Sequence, residues 1–143
     1  MRVPKDSVVL IQHSSLREHE EIKKNNLKLR IKKMKKKGFY KPIIVDSTSK
    51  VILDGHHKWN AARILGLYLV PVILVDYIND ESITVSVWDD CTKEIMTKKE
   101  VIEMGISENL FSPKTSKHYF SFPIHKIAIP LETLQNGGPS SRT

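Results

Sequence analysis

Apolar positions fall into short runs separated by a long basic stretch, and the runs change period along the chain. Val8 to Ile11 reads as a first short strand. Ser14 and Ser15 then offer helix caps, and Glu18 stands at capping-box spacing from Ser15. In the charged segment from Leu16 to Lys37, Leu27, Ile31 and Met34 recur at helical spacing, and Gly38 supplies a stop. Lys41 to Val45 and Val51 to Leu53 read as two strands joined by a turn at 46–50, a hairpin. From His56 to Leu65 the period is helical again, with Gly66 after it. Val70 to Tyr77 reads as a buried strand with Pro71 at its start, and Ile83 to Trp88 alternates as a half-exposed strand. Thr97 caps a helix expected over Lys98 to Met104, closed by Gly105. Ser112 to Phe122 is polar and aromatic without clear period. Ile127 to Ile129 reads as a last strand and Leu131 to Leu134 as a helical turn. The pattern predicts an α+β fold, one domain over 1–135 with a small mixed sheet flanked by helices. Residues 136–143, rich in Gly, Ser and Pro, read as a flexible tail.

Composition narrows the function classes. A chain of 143 residues with 40% hydrophobic residues suits one globular core. The longest apolar stretch, Leu67 to Val75, is broken by Pro71 and is too short to span a bilayer. No apolar core follows the N-terminal charges, so a cytoplasmic location is expected. Cys91 is the only cysteine, which excludes an intramolecular disulfide and a paired-cysteine metal site. The net charge of +7 favours an anionic partner, whether nucleotide, phosphorylated substrate or nucleic acid.

The stretch VILDGHHKWNAARILG, residues 51 to 66, carries the chemistry. A strand ends, Gly55 permits a tight turn, and a helix starts at once. The first amides of such a helix have no partner inside it and carry the positive end of the helix dipole, so they suit a phosphate. His56, His57 and Lys58 add side-chain donors, and Asp54 puts a carboxylate where Mg2+ is held against phosphate oxygens. Asp and Gly at a helix start are also ordinary capping residues, but capping does not call for two adjacent histidines. Zinc is disfavoured because His56 and His57 lack a partner one helical turn away.

DGHHKWNAARILGLYLVPVILVDY resembles the core of the ParB/sulfiredoxin superfamily. Sulfiredoxins carry a catalytic cysteine in the turn, where this chain has His56 or His57. Too few residues follow position 90 for the helix-turn-helix domain of partition proteins, so nucleic-acid binding is not expected. The turn resembles that of the archaeal free L-serine kinases, which reads DGHHR; Lys58 stands in place of that arginine. Leu16-Arg17-Glu18-His19-Glu20 resembles their His-Glu motif. Ser112-Pro113-Lys114-Thr115-Ser116-Lys117-His118 resembles their C-terminal Ser-Pro-Lys-Thr-Thr-Arg-His segment. The resemblance implies transfer of a phosphoryl group from ATP or ADP to the hydroxyl of free serine, giving O-phospho-L-serine. It implies Glu20 as general base and Asp54 with Mg2+, directly or through water. Gly55, His56, His57 and Lys58 would hold the phosphates, and Trp88, Lys114, Thr115 and His118 the amino acid. His19 would orient Glu20 or a phosphate. The family's long insertion is shortened between Asp89 and Leu110, which by analogy favours ATP. Two other functions fit the same core: a nucleotide-regulated DNA-binding protein, and a ParB-like nuclease or ATPase.

Overall fold

The computed structural model describes residues 8–88, 95–107, 109–112 and 115–135. Cys91, Asp89, Asp90, Lys114 and the 136–143 tail therefore lie outside the described residues. Strand β1 (Val9–Gln12) leads through a 3-10 turn at His13–Ser15 to helix α1 (Lys24–Lys37). The hairpin β2 (Ile43–Asp46) and β3 (Ile52–Asp54) follows, then α2 (His56–Ile64) and β4 (Leu69–Val75). Next come β5 (Ile83–Val87), α3 (Lys98–Ile106), β6 (Ser116–Phe120) and α4 (Leu131–Gln135). The strands form a mixed sheet in the order β1-β4-β2-β3 and a separate antiparallel pair, β5-β6. This is the α+β class expected, and among the described residues no helix is long and apolar enough to cross a membrane.

The main sheet is covered on both faces, which explains why β2 reads as an unbroken apolar run. Ile43 and Val45 pack with Met34, Phe39, Ala61 and Ala62 of the helical layer. Ile44 points the other way, into a second core with Val51, Ile73, Tyr77, Ile83 and Val101. Pro71 lies in central strand β4, opposite Leu10 of β1, one residue before the parallel pairing with β2 begins at Ile43 and Val72. Its missing N–H thus falls outside the doubly paired part of the strand.

Ile127 to Ile129 forms no strand, only a bridge of Ile129 to Phe39, and three further expectations are corrected. The Ser15–Glu18 capping box does not form. α1 starts only at Lys24, and residues 16–23 run extended, held by bridges of Arg17 to Val51 and Glu20 to Phe111. Glu18 instead accepts a hydrogen bond from Asn60 Nδ2 at 2.8 Å. Gly105 does not end α3. It sits inside the helix against Val51, where a Cβ would meet Val51 Cγ2 at 2.5 Å. The aperiodic 112–122 segment contains a strand, β6, whose partner β5 supplies the regularity its own sequence lacks. Thr97 and Glu100 do form the reciprocal capping box at the start of α3.

Candidate active site

The extended 16–23 segment matters because it carries His19 and Glu20 across the start of α2. One cavity of about 350 Å³ is lined there by His19, Glu20, Asp54, Gly55, His56, His57, Trp88 and His118. These residues come from the 16–23 segment, the β3–α2 turn, the end of β5 and the start of β6. Glu21, Asn26, Ser116 and Lys117 also line it, and sequence reasoning singled out none of them. Only Ser116 and Lys117 carried a signal, as members of the Ser112–His118 segment.

The turn leaves the start of α2 uncapped. Gly55 adopts φ 116° and ψ 23°, a left-handed conformation suited to glycine, and a Cβ there would meet Ile43 Cγ1 at 3.0 Å. No side chain caps α2. Asp54 is therefore not an N-cap, and its exposed carboxylate stands at the cavity edge. The first intrahelical bond runs from Trp59 N to Gly55 O, which leaves the preceding amides for an anion.

The two histidines of the turn act as acceptors. His56 Nε2 accepts from the His19 amide at 3.2 Å, and His57 Nε2 accepts from the Lys23 amide at 3.1 Å. Each ring thus pins the segment bearing Glu20, and the remaining ring proton of the neutral form sits on Nδ1. Burial holds His56 well below the usual histidine range, and the neighbouring His19, His118 and His57 add to that. Lys58 does not line the cavity. It is buried with its ammonium 6.0 Å from the Tyr40 ring, a ring also faced by Lys33 at 4.3 Å and Arg30 at 5.8 Å. Burial lowers the Lys58 pKa, against the attraction of Asp54.

On the opposite wall, Ser116 and His118 share one face of β6 by the strand's period of two. Ser116 donates to Glu20 Oε1 from its amide at 2.9 Å and lies 2.8 Å from the same oxygen through Oγ. His118 Nε2 lies 2.8 Å from the Tyr77 hydroxyl, in hydrogen-bond contact. Burial, then the charges of His19 and Lys98, push His118 down to about 3, so it is neutral at pH 7. Trp88 Nε1 donates to the Ser116 carbonyl at 3.1 Å, and Lys117 Nζ lies 4.9 Å from the Trp88 ring. Thr115 is buried away from the cavity lining, its hydroxyl donating to Ser112 O at 2.7 Å. Lys114 lies outside the described residues. Among the described residues, no cluster of three or more His, Cys, Asp or Glu side chains is gathered to hold a metal ion.

Comparison with known proteins agrees with this architecture. A ParB-like protein of Sulfolobus acidocaldarius is 39% identical over 79 residues, covering 55% of this chain and 39% of that protein. An ATP-dependent L-serine kinase of Staphylothermus marinus is 38% identical over 85 residues, covering 56% of this chain and 33% of that protein. The chain matches between a third and about half of the length of such relatives. A solved free serine kinase in complex with AMP shares the fold, with a TM-score of 0.83 at 17% identity, covering 94% of this chain and 96% of that one. Residues 3–90 match the ParB N-terminal domain, so the chain belongs to the family of that domain.

Proposed function

We propose that this protein transfers a phosphoryl group from an adenine nucleotide to the hydroxyl of free L-serine, giving O-phospho-L-serine. The observation that carries this reading is the meeting of Glu20 with the uncapped α2 N-terminus in one cavity walled by Trp88 and His118. Phosphoryl transfer requires little covalent chemistry from the protein; it requires positioning, charge neutralisation and proton removal. The amides at Gly55 to Lys58 hold the donor phosphates. Buried Lys58 supports that end of the helix with its charge, without the planar fork of an arginine. Glu20 accepts the proton of the attacking serine hydroxyl. Trp88 walls the amino-acid side, and His118, Lys117 and Lys114 supply donors for carboxylate or phosphate. Thr115 acts at one remove, by fixing the turn before β6.

Asp54 fits Mg2+, which takes one or two carboxylates and completes its shell with water and substrate phosphates. When bound, Mg2+ neutralises charge on the phosphates. ATP is the preferred donor; a relative at 38% identity is named ATP-dependent. A screen of amino acids with ATP or ADP and Mg2+, read by detection of phosphoamino acids, tests the proposal. O-phosphoserine is expected. Nucleotide hydrolysis unaffected by serine, with no phosphoamino acid formed, replaces the kinase reading with an ATPase.

A further inference from the structure

The Ser116 hydroxyl stands between two acceptors and has one proton to give. His19 Nδ1 lies 2.8 Å from the Ile52 carbonyl, which can only accept, so Nδ1 carries the ring proton. In the neutral ring Nε2 is then an acceptor, and Ser116 Oγ lies 2.8 Å from it. The same Oγ lies 2.8 Å from Glu20 Oε1. His19 is 1% exposed, and burial pushes it down to about 4, against the pull of the Ile52 carbonyl. At neutral pH the ring therefore gives no second proton to resolve the competition.

We propose that Ser116 is a proton-responsive switch for Glu20: its hydroxyl donates to the Glu20 carboxylate at rest and turns to His19 Nε2 once Glu20 has taken a proton. No covalent bond of Ser116 breaks, and only rotation about Cβ–Oγ is needed. A hydrogen bond to a carboxylate is roughly twice as strong as one between neutral groups, so the ionised Glu20 wins the hydroxyl. Protonation at Oε2 turns Oε1 into a weaker carbonyl acceptor, and the imidazole nitrogen then wins. The Ser116 amide keeps Glu20 in place throughout, at 2.9 Å. Glu20 Oε1 thus has the hydroxyl as a donor before the reaction, and His19 Nε2 gains it after. Other groups facing this triad are His56 from α2, 4.5 Å between ring centroids from His19, and His118 from β6 at 5.9 Å. Asp54, Glu21 and Lys117 face it across the cavity. Ser116 acts here as a positioning residue. This role rests on the reading of Glu20 as the base.

The test uses the intact protein without nucleotide or serine, so its outcome is separate from that of the kinase assay. Glu20→Gln mimics the protonated base. At pH 7, the 15N resonance of His19 Nε2 is expected to move upfield in Glu20→Gln relative to the parent, as the ring gains a hydrogen bond. The same shift is expected in a Ser116→Thr background, which keeps the hydroxyl, and no shift in a Ser116→Ala background. An Nε2 resonance unmoved by Glu20→Gln, or moved equally in Ser116→Ala, overturns the switch.

Discussion

His56 and His57 turn their Nε2 atoms toward the amides of His19 and Lys23, so the residues that look most like phosphate ligands also fix the segment that carries Glu20. His56→Ala is therefore expected to lower kcat about 100-fold, the scale of a misplaced catalytic group, while nucleotide affinity changes much less. Initial rates and nucleotide titration together check this; equal losses in both would assign His56 to phosphate binding alone. On the proposed role of Glu20, Glu20→Gln should reduce kcat by about 100- to 10,000-fold with nucleotide binding retained, since only proton removal would be lost. Normal turnover in that variant, or in Asp54→Asn, would remove these residues from the mechanism.

At the scale of elements, the site depends on a short turn and on two close approaches. Gly55 combines a left-handed backbone with contact to Ile43, so Gly55→Ala should cost about 1–3 kcal/mol and disturb the phosphate turn. Gly105 has no such backbone demand; its constraint is Val51, whose Cγ2 would lie 2.5 Å from an added Cβ. Alanine is favoured over glycine inside a helix by about 1 kcal/mol. Overpacking against a buried β-branched side chain costs about 1–3 kcal/mol, so Gly105→Ala is expected to destabilise the fold on balance. Urea denaturation of both variants measures these values, and a stabilised Gly105→Ala would show that Val51 yields easily. The elements legible beforehand were those whose signals are local: the β2–β3 hairpin, α2 after Gly55, and α3 behind its Thr97–Glu100 box. The 16–23 segment looked helical because Ser15 and Glu18 have capping spacing. Its extended form comes from Val51 and Phe111, distant partners that no local pattern reveals.

Across the whole molecule, three neutral histidines, His19, His56 and His118, meet at the junction of the main sheet, α2 and β6. Their folded pKa values lie below the ordinary 6.5, so the unfolded chain binds more protons as pH falls. Their contribution to stability is whole above about pH 6.5. It is lost as pH drops through about 4 for His19 and about 3 for His118. For fully buried His19 the loss is roughly 3 kcal/mol by pH 4. Denaturation midpoints should be flat from pH 8 to 6.5 and then decline; a flat profile to pH 4 would contradict neutral burial of these rings. The sequence by itself determined the class of fold, the strand–Gly55–helix turn and the short motifs that meet there. Helix and strand period, turn chemistry and caps are properties of neighbours along the chain. Only the tertiary structure decided that Lys58 and Thr115 turn away from the cavity, that His56 and His57 brace the Glu20 segment, and that Ser116 stands between Glu20 and His19. Those relations join residues up to 97 positions apart. They depend on sheet register and burial, which put a single hydroxyl within reach of two acceptors that the linear chain keeps far from it.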